Sequence, residues 1–328
     1  MPRCAGSDST AEGDFKKLKA YLLRLNRITK NCFECSFSCP RLQARFFSPH
    51  HALAAFPSLC YSSLVETKRE TPVLKVSGNT IEGVLDEVAS ELPIRLVLNN
   101  EPLVTLLCTP AELQELSVGF LLSEGLLQDK AAIKNIEIDE REAVVRIDLA
   151  DLPPDFPKLF ETRTISSGCG KGVTFTNYRI PLEKRIDVKG PFMSLDDIRR
   201  LLGSFRTISK LYLETGGVHS AAISDGKEIL LFSEDIGRHN AVDKLIGKAF
   251  LQSISVKDKI LFTSGRVTSE IVTKAGRNRF PILISRAAPS CMAISYAEDM
   301  GITLVGFARG DRMNIYSWPS RLQLDSFN

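Results

Sequence analysis

No apolar stretch in this 328-residue chain reaches the roughly 18 residues that a membrane-spanning helix needs. An apolar leader core near the start is also missing, so neither a membrane anchor nor a secretory signal is expected. Eight cysteines over this length are too sparse for a secreted disulfide scaffold, and the expected compartment is a reducing cytoplasm. Charge of one sign is lacking too: 42 Lys/Arg stand against 39 Asp/Glu. The small surplus sits in residues 1–60, with nine basic and four acidic residues, and the remainder is slightly acidic. Bulk charge therefore gives the body no nucleic-acid-binding surface. Gly168-Cys169-Gly170-Lys171-Gly172 has neither the gap nor the Ser/Thr of a phosphate-binding Walker loop. No Gly-x-Gly-x-x-Gly follows a strand, the body has no Cys-x-x-Cys, and the His-x-Glu and Pro-Cys-x-x-Cys ligands of zinc deaminases are absent.

The first 60 or so residues read as an extension to a globular body. Phe15, Leu18, Tyr21, Leu22 and Leu25 fall at helical spacing among basic residues, the pattern of a short basic amphipathic helix. Cys32, Cys35 and Cys39, with His50 and His51 beyond, contain enough ligands for a zinc site but not the paired knuckles of a finger. A poorly ordered extension over 1–70 is the reading adopted. Asp8, Glu12 and Asp14 argue against an organellar transit peptide.

The body reads as mixed α/β. Two strands between Glu91 and Cys108 turn at Asn99-Asn100. Thr109-Pro110-x-Glu112 carries the signature of a helix start, Leu113, Leu116 and Phe120 an inner face, and Gly125 a stop. A second hairpin is expected over 133–149, and three prolines at 153, 154 and 157 mark a linker. These define a smaller β-containing α+β domain over 71–160. Ser194 caps a helix running to about Ser209. Strands follow at 218–223, 228–233, 259–263, 281–285 and 302–307, with helices at 240–251, 268–278 and 290–300. The last four strands read βαβαβαβ, an α/β domain over 161–328 built on a mostly parallel sheet with helices on both faces, while the hairpin turn Ser224-Asp225-Gly226-Lys227 makes the 218–223 strand antiparallel.

Cys169 is the candidate nucleophile. Flanking glycines open its approach, and Lys171 adds positive charge, conditions that lower a thiol pKa from about 8.5 toward neutrality. A small residue packed in a turn is the bland alternative. In an open α/β sheet, ligands bind beyond the carboxyl ends of strands. Four successive strand ends supply Arg238, Arg266, Arg286, Arg309 and Arg312, with glycines and helix starts among them, which points to an anionic or phosphorylated ligand. Asp235 and Asp311 add acceptors for a base or a ribose. His219 and His239, the body's only histidines, are candidates for ligand contact or acid–base work, against a capping or core role.

Several blocks occur in order: Glu101-Pro102-Leu103, Leu116-x-x-Gly119-Phe120-Leu121-Leu122-x-Glu124-Gly125, Thr215-Gly216-Gly217-x-His219, Glu234-Asp235-Ile236-Gly237-Arg238-His239-Asn240-Ala241-x-Asp243-Lys244, Ser264-Gly265-Arg266, and Gly306-Phe307 with Arg312. Together, over about 90–322, they resemble the formate dehydrogenase accessory sulfurtransferase family, FdhD. The resemblance implies a cytidine deaminase-like α/β domain without zinc, plus a smaller domain, commonly as a homodimer. It implies sulfurtransferase activity through a persulfide on Cys169, with a cysteine desulfurase as donor. It further implies delivery of that sulfur to Mo-bis(molybdopterin guanine dinucleotide), bound as substrate and partly mimicked by guanine nucleotide, for formate dehydrogenase. Phe307, Ala308, Arg309, Gly310, Asp311 and Arg312 match the family's cofactor-binding segment, with Arg266, Arg238, His239 and His219 nearby in the motifs. The family often carries Cys-x-x-Cys here, whereas this chain has one cysteine, with Ser166 or Gly172 in the other place. A lone thiol closes no internal disulfide but suffices for a persulfide. Two other readings stay open: a non-catalytic cofactor chaperone, and a deaminase-like hydrolase, which the missing zinc ligands disfavour.

Overall fold

The computed structural model describes residues 66–152, 164–165, 173–174, 185–187 and 192–324. Among these, Glu70–Asp86 form one compact unit and the remaining residues another. The first unit is the bulk of a hairpin of β1 (Lys68–Ser77) and β2 (Thr80–Ala89), turning at Gly78 with φ +58°. The cysteines and histidines of the 1–65 extension lie outside the described residues.

The second unit begins with β3 (Leu92–Leu98) and β4 (Glu101–Cys108). Asn99 and Asn100 take φ +47° and +67°, so the two-residue turn expected from sequence forms, with Leu98 opposite Glu101. α1 (Leu113–Glu124) follows and ends at Gly125, φ +76°. β5 (Ile133–Asp139) and β6 (Val144–Leu149) make the second expected hairpin. β6 also pairs parallel with β3, giving a four-stranded sheet ordered β4-β3-β6-β5.

The start of α1 differs from its sequence signature. Thr109 does not cap it; Glu112 does, in a left-handed conformation and without a side-chain capping hydrogen bond, its carboxylate being paired with Lys248 instead. The Thr109 groups are claimed elsewhere: its N–H donates to Asp235 Oδ2 at 3.0 Å, its Oγ1 accepts from the Ile236 N–H at 3.0 Å, and its carbonyl accepts from Lys244 Nζ at 3.1 Å. A buried charged pair outcompetes a local cap.

β7 (Thr164–Ile165) and β8 (Val173–Thr174) pair antiparallel, with Ile165 opposite Val173. Residues 166–172 between them, which include Cys169, lie outside the described residues. β9 (Met193–Ser194) leads into α2 (Leu195–Thr207), where Ser194 and Asp197 form a reciprocal capping box. A six-residue helix, α3 (Lys210–Thr215), comes next and closes at Gly216, φ +64°. The main sheet then assembles from β10 (His219–Ser224), β11 (Ile229–Asp235), β12 (Ile260–Thr263), β13 (Ile282–Ser285), β14 (Thr303–Arg309) and β15 (Arg312–Ser317). Its helices are α4 (Arg238–Leu251), α5 (Ser269–Arg277) and α6 (Cys291–Met300). A short β16 (Leu322–Gln323) pairs with β9.

The sheet is ordered β11-β10-β12-β13-β14-β15. The strands and helices expected over 91–149 and 194–307 are all present, whereas the helix expected around Phe15 to Leu25 lies outside the described residues. The main sheet is mixed rather than mostly parallel, and only β12–β13 and β13–β14 pair parallel. The Asp225-Gly226 hairpin folds β10 back between β11 and β12, and β15 returns along the other edge. β11 to β14 nonetheless point the same way, so their carboxyl ends share one edge. His219, at the start of β10, joins that edge opposite Asp235.

Alternate residues divide the core. Ala221, Ile223, Leu261, Leu283 and Leu304 face α1, α4, α5 and α6, and also join the four-stranded sheet through Leu96, Val145 and Ile147. Ala222, Phe262, Ile284 and Val305 face α2 through Ile198, Leu201 and Phe205. Helices thus cover both faces. α1 is buried continuously from Leu116 to Glu124, and it meets α4 at a glycine crossing. A Cβ on Gly119 would lie 1.8 Å from the Asp243 carbonyl oxygen, and one on Gly247 1.9 Å from that of Glu115. Among the described residues no helix is long and apolar enough to cross a membrane.

Candidate functional site at the carboxyl edge of the main sheet

A cavity of about 310 Å³ opens at this edge, lined by residues of α2, α3, β10, the loops after β12 and β13, and the last residue of β14. Two residues expected from sequence, His219 and Arg309, line it, together with Arg286 of the strand-end cluster. Arg309 is held by its Nε, which donates to the Arg286 carbonyl at 2.8 Å. The two guanidinium-bearing residues are thereby tied to one wall. Arg206, Ser209 and Tyr212 also line the cavity and were not anticipated. Arg206 looked like an ordinary basic residue in a helix's last turn, and nothing in the sequence marked the short α3.

His219 Nδ1 lies 3.2 Å from Ser264 Oγ, which accepts from the Ser220 N–H at 2.9 Å. Burial holds the His219 pKa below the usual 6.5, and the Arg238 charge lowers it further. The imidazole is therefore neutral at physiological pH and offers one donor and one acceptor. Arg266, exposed beside it, acts in the same direction.

Arg238 does not project into solvent; it is 6% exposed and lies across Gly265. A Cβ on Gly265 would come within 2.7 Å of the Arg238 Cβ, which accounts for glycine in the Ser264-Gly265-Arg266 block. His239 turns toward α5, where its Nε2 is 3.4 Å from both Thr268 Oγ1 and Glu270 Oε2. Burial, with Lys274 and Arg238 adding to it, pushes its pKa down to about 3. His239 is thus a neutral packed residue, the capping-or-core alternative, rather than a lining group of the cavity.

Asp235 departs furthest from its expected role as a reader of base or ribose. It is fully buried, and both carboxylate oxygens are occupied: Oδ1 by the Gly237 N–H and Asn240 Nδ2, Oδ2 by the Thr109 N–H and by Lys244 Nζ at 2.6 Å. Lys244, equally buried, also donates to the Glu234 carbonyl at 3.2 Å. Asp235 holds the edge together and is not presented to a ligand.

The 307–312 segment is a bulged hairpin. The register slips between Gly306 and Arg309, and Phe307 takes φ +51°, donating its N–H to the Ala287 carbonyl at 3.1 Å. A left-handed aromatic residue costs about 1–3 kcal/mol and concentrates at functional sites. Ala308 is buried in the core against α2. Gly310, φ +55°, and Asp311 form the turn, with Arg312 opposite Arg309. The Asp311 side chain is 96% exposed and lies 3.4 Å from Arg199 Nε.

The described residues include two free cysteines, Cys108 and Cys291. The Cys108 thiol is buried, donates to the Leu92 carbonyl at 3.6 Å, and has its pKa pushed up to about 12, by burial first and then by Asp235. A thiol so protonated is not a nucleophile. Cys291 is exposed at the start of α6.

The FdhD/NarQ family model matches residues 89–323. The chain belongs to the FdhD/NarQ family. The match takes in the four-stranded sheet, the main sheet and the whole cavity wall. Two curated relatives bear the name sulfur carrier protein FdhD. One, from Geobacillus kaustophilus, is 36% identical over 254 residues, covering 77% of this chain and 97% of the relative. The other, from Bacillus subtilis, is 38% identical over 251 residues, covering 76% and 96%. A crystal structure of a formate dehydrogenase accessory protein from Desulfotalea psychrophila superposes with a TM-score of 0.64 at 22% identity, covering 79% of this chain and all of that one. At that identity it attests the fold, and FdhD/NarQ membership rests on the family model and the closer relatives.

Proposed function

We propose that this chain is a sulfur carrier and sulfurtransferase that serves formate dehydrogenase. Cys169 attacks the terminal sulfur of a cysteine desulfurase persulfide, the donor departs as a thiolate, and the sulfur rides on Cys169. Its destination is molybdenum in Mo-bis(molybdopterin guanine dinucleotide), held as substrate at the carboxyl edge of the main sheet. The observation that carries the reading is the cavity itself: Arg206, Arg286 and Arg309 surround a space beside the neutral His219. Arginine forks are the natural receptors for a dinucleotide's phosphates. FdhD/NarQ membership and the names of the relatives support sulfur as the cargo. Cys108 is unsuited to the work because its thiol stays protonated. Cys169 is favoured over the exposed Cys291 by its flanking glycines and by its place in the family's cysteine-bearing loop. The cytidine deaminase-like description of the α/β part, the homodimer and a cytoplasmic location belong to the same proposal.

The test is sulfur loading. Incubation with a cysteine desulfurase and cysteine adds one sulfur atom to the wild-type chain, seen by intact mass, and Cys169→Ala abolishes the adduct. An adduct that persists on Cys169→Ala rejects Cys169 as carrier. Full formate dehydrogenase activity in cells carrying Cys169→Ala would favour the cofactor-chaperone reading instead.

A further inference from the structure

The cavity's arginines account for phosphates but not for the aromatic end of a nucleotide. One wall is of a different kind. Tyr212 lines the cavity while remaining 44% exposed, an aromatic ring at the mouth of a basic pocket. It belongs to α3, a helix of six residues, too short to hold its shape unaided. One carboxylate fastens it. Glu234 accepts from the N–H of Leu211 and of Tyr212, both at 3.3 Å, and from the Ser209 hydroxyl. Ser209 in turn contacts Ser220 Oγ at 2.8 Å, and Ser220 is bonded to Ser264 beside His219. Glu234 projects from the carboxyl-terminal end of β11, a strand of the rigid sheet, so its clamp fixes Tyr212 relative to Arg286 and Arg309.

We infer that Tyr212 is the stacking platform for the purine of the bound nucleotide, and that Glu234 is a positioning residue that acts through it. This rests on the proposed nucleotide-bearing substrate and adds to it which side chains distinguish a nucleotide from a bare phosphate. Loss of base-on-aromatic stacking, in the lower part of its usual range, costs about 1.4 kcal/mol, which is about tenfold in affinity. The phosphates stay on Arg206, Arg286 and Arg309.

Two ligands separate the roles: guanosine diphosphate, which has a base, and inorganic pyrophosphate, which has none. Calorimetric titration of the full chain is expected to show Tyr212→Ala and Glu234→Gln each weakening guanosine diphosphate about tenfold. Both variants leave pyrophosphate binding unchanged, and Tyr212→Phe binds like wild type. The double variant is expected to be no weaker than Tyr212→Ala alone; a further loss would show that Glu234 also acts through Ser209 and overturn its assignment to Tyr212. Equal weakening of both ligands, or undiminished guanosine diphosphate binding by Tyr212→Ala, overturns the inference. Tyr212 is exposed enough that its truncation does not threaten the fold. Failure of the wild-type chain to bind guanosine diphosphate while it still accepts sulfur would sink the platform and leave the relay standing. Normal stacking without sulfur on Cys169 would do the reverse.

Discussion

His239 and Asp235 show how a motif residue can be named correctly and still be assigned the wrong work. Both sit in the most specific block of the chain, and both looked like ligand contacts. Asp235 is consumed by four donors and His239 by packing against α5. Burial cannot be read from a loop motif, because the partners that bury it come from distant segments: Thr109 lies 126 residues from Asp235. By contrast, His219 and Arg309 reach the cavity as expected, since strand ends put side chains where the rule for open sheets says ligands bind. His239 carries a consequence for pH. Its folded pKa, about 3, lies below the unfolded value near 6.5, so between those values the unfolded chain binds the extra proton. Its contribution is complete above about pH 6.5 and is lost as pH falls toward 3, by at most about 1.4 kcal/mol per pH unit. Urea melts at pH 7 and pH 5 are expected to show a smaller acid loss for His239→Gln than for wild type. An unchanged loss would mean that the imidazole titrates freely in the folded state.

At the scale of elements, the hairpins over 91–108 and 133–149 and the main helices were legible, because alternation, the Asn-Asn turn and Ser194 act locally. The β1–β2 hairpin was not, since it falls where an extension and the start of the smaller domain were expected. β15 was not, since Gly310-Asp311 followed by Arg312 reads as a charged loop rather than a two-residue return. The parallel character of the sheet was overestimated for a related reason: the turn at Ser224–Lys227 makes β10 antiparallel as expected, but local order does not say that β10 inserts between β11 and β12 or that β15 returns along the other edge. Glycines differ just as sharply with context. Gly203 lies within α2, where an added Cβ would meet nothing within 4 Å, whereas one on Gly119 would meet backbone at 1.8 Å. Gly203→Ala is expected to raise stability by about 0.5–1 kcal/mol, through helix propensity and a less free unfolded chain. Gly119→Ala should destabilise by about 3 kcal/mol or more, as a steric insertion into a closed helix crossing. Chemical denaturation of the two variants reads both, and a mild Gly119→Ala would show that α1 and α4 can part at little cost.

For the whole molecule, the four-stranded sheet and the helices over the main sheet contribute to one continuous hydrophobic cluster. The sequence suggested separate domains over 71–160 and 161–328, because prolines punctuate the chain between them and composition cannot report a shared interior. A common core predicts common unfolding. Trp318, the chain's single tryptophan, is held between Arg185 and Arg321, with the Arg185 guanidinium carbon 3.8 Å from its ring centre. It is a built-in reporter for the main sheet. Its fluorescence and far-UV circular dichroism are expected to trace one coincident urea transition; two separated midpoints would instead establish independently folding domains.

The glycine crossing of α1 and α4 also acts at a distance. Gly247 lies nine residues along α4 from Arg238, about 14 Å at the helical rise. α4 is rigid over that length, so the contact sets how deeply its first turn is seated at the cavity edge. A single methyl at either glycine would jack the helix outward. Arg238 would then lift off Gly265, and Asn240 and Lys244 would be drawn off Asp235. The two crossing glycines thus serve as the spacer that sets how the buried Arg238 and Lys244 are seated at the carboxyl edge of the sheet.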